Sequence, residues 1–123
     1  MEVKSYQDLS VWRKGMDLAE QAYRLTSEFP REELFGMTSQ IRRAAASIPA
    51  NVAEGWGRNG TTEYMQFLRV AQGSLKELET HLLPSQRVGL VQAAKVEPLL
   101  SLATEVGKML NALHGSLKHR RTI

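Results

Sequence analysis

Cysteine is missing from all 123 residues, so no disulfide, thiolate nucleophile or thiolate metal site can form. That suits a reducing compartment, and a cytoplasmic location is expected. No apolar run approaches the ~18 residues needed to span a bilayer. The opening MEVKSYQDLS has no apolar stretch of the kind a secretory signal carries, so no membrane role is expected. Catalytic signatures are missing too. Ser47 and Ser74 stand in no Gly-x-Ser-x-Gly elbow. Asn59-Gly60 marks a turn, because the Gly-x-x-x-x-Gly-Lys of a phosphate loop does not occur. Glu77 and His81 are spaced for one shared ligand. Di-iron bundles, however, need Glu-x-x-His on two helices, and that spacing is nowhere in the chain. The expectation is therefore no enzyme, no metal and no cofactor. Charge of one sign is also scarce: 16 basic against 13 acidic residues leave +3, which permits a polyanionic partner without requiring one.

What the chain does have is helical periodicity. The central stretch from Ser39 to Arg58 presents three lines at spacings of three and four. Met37, Ile41, Ala45, Ile48, Val52 and Trp56 are mostly apolar. Ser39, Arg42, Ala46, Ala50, Ala53 and Gly57 are mostly small. Gln40, Arg43, Ser47, Asn51, Glu54 and Arg58 are polar. An ordinary surface helix has one apolar and one solvated face. The small line lets another helix approach closely, and the polar line suggests groups that bond one another. Pro49 removes one backbone bond and predicts a bend, where Ser47 could bond a freed carbonyl.

The other helices follow the same reading. Helix one spans about 8–28, with Asp8 or Ser10 as its cap and Phe29-Pro30 as its stop. Its two apolar lines are Leu9, Trp12, Met16, Ala19, Tyr23 and Val11, Leu18, Ala22, Leu25, Phe29. Together they form an arc of roughly half the circumference. Two readings fit: a deeply buried bundle helix, or one edge on the core and the other on a second subunit. The central helix covers about 36–57. Helix three, about 61–87, has Thr61 as its cap and the line Tyr64, Leu68, Ala71, Leu75, Leu78, Leu82, with Pro84 bending or ending it. Helix four, about 92–118, carries Val96, Leu99, Ala103, Val106, Leu110, Leu113, Leu117. A basic tail at 118–123 is expected to fray. No stretch alternates as a half-buried strand would. One all-α domain over 1–123 is predicted, an antiparallel up-down-up-down four-helix bundle.

Several blocks carry a resemblance: Asp8-Leu9-x-Val11-Trp12, Thr38-Ser39-Gln40-Ile41-Arg42-Arg43-Ala44 and Ser47-Ile48-Pro49-x-Asn51-Val52-Ala53-Glu54-Gly55. Gly73-Ser74-Leu75-x-Glu77-Leu78-Glu79-Thr80 and Gly107-Lys108-Met109-Leu110 follow. With these blocks the chain resembles the 23S rRNA-intervening sequence proteins, also labelled S23 ribosomal protein, over nearly its whole length. Trp56 stands where that family often has phenylalanine. The resemblance implies a homopentamer and a kinship to the accessory protein of diversity-generating retroelements. It thereby implies nucleic acid, and a reverse transcriptase, as partners. A subunit charge of +3 would become about +15 on a pentamer, enough to steer a polyanion.

These readings distribute the candidate residues. Arg69, Lys76, Arg58, Lys118, Arg120 and Arg121 are the phosphate candidates, each contact adding salt-sensitive affinity. A bundle offers no recognition helix, so such binding would be weakly sequence-specific. Gln40, Arg43, Ser47, Asn51, Glu54, Glu63 and Glu77 form the expected structural network, with Arg43 pairing Glu63 or Glu77, and Arg42 structural as well. Val11, Trp12, Leu18, Ala46, Ala50 and Ala53 are the expected oligomer interface. The function that follows is a non-enzymatic oligomeric scaffold for RNA or DNA. The rival is a protein-interaction or structural module without nucleic acid.

Overall fold

The structure, a computed structural model, describes residues 2–122, with side chains as far as residue 120. Four helices carry the fold: α1 (Ser10–Thr26), α2 (Met37–Trp56), α3 (Thr61–Arg87) and α4 (Ala93–Thr122). Among the described residues there is no strand. α1 packs on α2 and α4, and α3 packs on the same two helices. Short connections reverse the chain each time, giving the up-down-up-down bundle that the periodicity predicts.

The interior is made from the predicted lines. Ile41, Ala45, Ile48 and Val52 of α2 meet Leu68, Ala71, Leu75, Leu78 and Leu82 of α3. Val96, Ala103, Val106 and Leu110 of α4 close the core, and all of these are buried. Burial of the valine, leucine and isoleucine side chains stabilises by roughly 1.5–3 kcal/mol each, so the apolar lines, more than helix propensity, hold the helices in place.

α1 resolves the two readings of its wide arc. Val11, Leu18, Ala22 and Leu25 are buried within the single chain. Val11 and Leu18 are therefore core residues and cannot serve as an oligomer interface, a correction to the expectation. The other line splits. Leu9 and Trp12 pack against the core, while Met16 and Tyr23 remain 45% and 47% exposed. Trp12 also takes the Tyr6 ring edge-on at 5.3 Å.

Several helix ends differ from the sequence reading. Asp8 does not cap α1. It belongs to a 3₁₀ turn, Tyr6–Asp8, where Ser5 and Asp8 form a reciprocal capping box. α1 instead starts after Leu9 with no side-chain cap and stops at Thr26. Thr61 is the first residue of α3, and Gly60 holds the cap position. α3 runs through Pro84 to Arg87, with the buried Ser85 hydroxyl donating to the His81 carbonyl at 2.8 Å. α4 continues to Thr122, so residues expected to fray extend a helix already packed through Leu117.

α2 also runs through Pro49, which is buried. The Ser47 hydroxyl bonds Ser74 and Asn51 instead of a freed carbonyl. Two glycines lie at helix crossings, and only one of them limits how closely the helices approach. A Cβ on Gly15 of α1 would lie 3.5 Å from the Pro49 Cβ, an ordinary contact. A Cβ on Gly55 of α2 would lie 2.8 Å from the Phe67 Cβ and 3.0 Å from the Tyr64 ring. The second crossing, between α2 and α3, admits only glycine without a shift.

Candidate nucleic-acid interface

Two polar lines run side by side across the α3–α4 seam. On α3 they are Arg69, Gln72 and Lys76. On α4 they are Thr104, Lys108, Asn111 and, one turn pair further, Lys118. Neighbours within each set are three or four residues apart, or seven for Lys118, so each set stays on one helix face. The antiparallel packing brings the sets together around a groove of about 550 Å³, with Leu68, Ala103 and Gly107 among its lining residues. Leu68 and Ala103 are core residues, so they form the floor. Gly107 lets α3 and α4 approach closely here: a Cβ there would meet Leu75 Cδ2 at 3.1 Å.

The rim is cationic. Arg69, Lys76 and Lys108 line the groove together with His114, and no carboxylate is among the lining residues. Arg69 and Lys76 lie seven residues apart, roughly 10 Å along the helix axis. Lys76 meets Glu79 at 3.1 Å with its own side chain 74% exposed, and such a surface pair fixes a lysine only weakly. Gln72 spans the seam. Its Nε2 donates to the Gly107 carbonyl at 2.9 Å and to Asn111 Oδ1 at 2.8 Å. A carbonyl can only accept, so this network fixes which way the Gln72 amide points. Gln72 and Asn111 were not singled out in the sequence, and Lys108 stood out only within the Gly107-Lys108-Met109-Leu110 block. The available signal was carboxylate-free polar spacing on two helices that face each other.

The remaining phosphate candidates are dispersed. The Arg58 guanidinium stacks on the Phe67 ring at 4.9 Å, so part of its role is to cover an apolar surface. Lys118 and Arg120 are exposed on the last turns of α4. Arg121 lies outside the residues whose side chains are described. Arg120 is near Tyr64, whose hydroxyl titrates above the ordinary phenol range. Burial raises it, the Arg120 cation lowers it, and burial wins.

The polar line of α2 forms a smaller network than expected. Asn51 Nδ2 donates to the Ser47 carbonyl at 2.8 Å and to its hydroxyl at 2.9 Å. The Ser47 and Ser74 hydroxyls bond at 2.8 Å and tie α2 to α3. Arg43, Gln40 and Glu77 line a cavity beside this bond. The expected pairing of Arg43 with Glu63 or Glu77 is not among the ion pairs of the described residues. Glu77 instead lies 3.5 Å from His81 Nε2, and Gln40, Glu54 and Glu63 are exposed. At half-exposed positions an ion pair gains too little to hold two long side chains in one geometry. Arg42 is the arginine that is fixed. Its Nε donates to Thr26 Oγ1 at 2.8 Å, its Nη2 to the Tyr23 carbonyl at 3.4 Å, and its guanidinium sits 4.8 Å over the Tyr23 ring. It thereby places a cation at the C-terminus of α1, where the helix dipole favours one.

Of the expected interface residues, Ala46 and Ala50 are exposed and Ala53 is half-buried. Ala46 and Pro49 floor a second groove between Met16, Ala19 and Tyr23, with Asp17 and Glu20 at its edge. Separately, the α1–α2 connection carries Leu34 at 47% and Phe35 at 94% exposure.

Comparison with known proteins gives one family. The model for 23S rRNA-intervening sequence protein matches residues 7–112. No curated protein matches. Among solved structures, the chain is similar to a protein of unknown function from the S23 ribosomal protein family of Bacteroides thetaiotaomicron. The TM-score is 0.76 at 23% identity, over 85% of this chain and 97% of that one; at that identity the likeness shows the fold. Among the described residues, no helix is long and apolar enough to cross a membrane.

Proposed function

The chain belongs to the family of 23S rRNA-intervening sequence proteins, and from that premise we propose that it is a non-enzymatic oligomeric scaffold that binds RNA or DNA with weak sequence specificity. The observation that carries this reading is the α3–α4 groove, whose charged lining residues are basic. Phosphates would be held by Arg69, Lys76 and Lys108, with Lys118, seven residues beyond Asn111, extending the same face of α4. Each phosphate neutralised releases counterions, so affinity falls steeply with salt. Assembly, with a pentamer as the proposed state, would use the face formed by Ala46, Ala50, Met16 and Tyr23 and would multiply the basic surface.

The test is mass by light scattering, followed by binding of a generic RNA and DNA across a salt series. The double variant Arg69→Ala/Lys108→Ala should weaken binding for every sequence and reduce the slope of log affinity against log salt by about 2. An unchanged slope removes the groove from the reading. No binding to either nucleic acid at low salt removes the nucleic-acid reading altogether. One observation favours a second reading, a protein-interaction module: the near-complete exposure of Phe35 beside Leu34. Single exposed apolar residues are common, but an aromatic at a loop tip suits a protein partner. A reverse transcriptase is the protein partner this proposal would test first.

A further inference from the structure

We propose that the α3–α4 groove seats an unpaired nucleobase, so that the protein prefers single-stranded RNA or DNA to duplex; this rests on the nucleic-acid reading above. The groove has two properties that a phosphate site alone does not need. Its floor includes the apolar side chains of Leu68 and Ala103, both core residues. Its volume of about 550 Å³ falls within the ~300–1,000 Å³ typical of small-ligand sites. A row of cations meant only for a duplex backbone would work on a convex, fully polar surface.

The second property is the Gln72–Asn111 pair. Gln72 uses both amide protons, one on the Gly107 carbonyl and one on Asn111 Oδ1. Its own Oε1 is left as an acceptor, and the Asn111 Nδ2 protons are left as donors. Neither atom is in another hydrogen bond among the described residues. Every nucleobase carries a donor and an acceptor side by side on its Watson–Crick edge. In a duplex those groups are already paired; in a single strand they are open, and proteins read splayed bases through them. Because all four bases offer such a pair, this reading agrees with weak sequence preference. Arg69 and Lys76, about 10 Å apart along α3, flank the groove on one side and Lys108 lines it from the other helix, so phosphates on either side of an inserted base have cations within reach.

The experiment is fluorescence anisotropy with the full chain and four probes of equal length: single-stranded RNA, single-stranded DNA, the DNA duplex, and the single strand carrying abasic sites. The single strands should bind roughly tenfold more tightly than duplex at one salt concentration. The abasic strand should lose roughly fivefold against its parent. Asn111 is exposed, so Asn111→Ala should fold. It should lower single-strand affinity severalfold and leave the salt slope unchanged, whereas Arg69→Ala should lower the slope by about 1. Equal binding of single strand and duplex, or full binding of the abasic strand, with a normal salt slope, overturns base insertion and leaves the nucleic-acid reading standing. A single-strand preference that survives Asn111→Ala undiminished also overturns it. Failure of all four probes to bind at low salt overturns both readings.

Discussion

The α1–α2 face and the α3–α4 face are built alike and charged oppositely. In each, two helices approach over small residues and leave a groove: Ala19, Ala46 and Pro49 on one side, Ala103 and Gly107 on the other. The first groove is edged by Asp17 and Glu20, the second by Arg69, Lys76 and Lys108. Small residues decide that a groove exists, and the neighbouring lines decide what can enter it. An acid-edged apolar groove repels phosphate and offers area to another protein surface. A cation-edged groove draws a polyanion and repels a second copy of itself. The two proposed activities, assembly and nucleic-acid binding, can therefore be changed separately.

The largest expected effect separates them. Ala50 is exposed in the single chain, so Ala50→Glu should change subunit stability by no more than about 0.5 kcal/mol. It should nevertheless drop the light-scattering mass to that of a single subunit. An unchanged mass would show that assembly uses another face. A smaller effect should remove the distinction between the faces. The α2–α3 crossing at Gly55 joins a helix of one groove to a helix of the other, and a Cβ there would lie 2.8 Å from the Phe67 Cβ. Gly55→Ala should cost about 1–3 kcal/mol of stability in urea unfolding, with mass and binding declining together. The smallest effect tests whether the end of α4 is held near the start of α3. Tyr64 has a folded pKa above its unfolded one. Below about pH 10 it is neutral in both states. Above that, the unfolded chain loses the proton first, so stability is lost as pH rises through the folded pKa. Tyr64→Phe should remove that increment, visible as a gap between urea midpoints at pH 11 that is missing at pH 8. Arg120→Ala should widen the lag in the wild-type phenol titration.

The helices and their core lines were legible because burial imposes a period, and a period can be read within one segment. The α3–α4 groove was half legible. Arg69 and Lys76 stood out on α3, but Gln72, Lys108 and Asn111 acquire meaning only once two antiparallel helices are set side by side. Arg42 and Arg43 mark the limit most clearly. Their positions in the sequence favoured Arg43 as the paired one, because Asn51 and Glu54 share its line. Packing reversed this. Arg42 faces the end of α1, where two acceptors and a ring await it. Arg43 faces water beside Glu77. Similarly, Val11 and Leu18 read as half of a two-sided arc, and only the angle at which α1 enters the bundle turned that half inward. The extent of α4 was underestimated because composition at the end of a chain says little about whether the preceding turns are held by a buried residue such as Leu117.

The α1–α2 crossing has one practical consequence. Gly15 sits inside a helix, buried, with room for a methyl group: the missing Cβ would touch Pro49 at 3.5 Å. Glycine there leaves the unfolded chain more freedom than alanine would, with no conformational need in the folded state. Gly15→Ala should therefore raise stability by about 1 kcal/mol, read as a higher urea midpoint. The natural chain holds that margin in reserve, and a chain engineered to use it would be a sturdier background on which to study every costlier substitution.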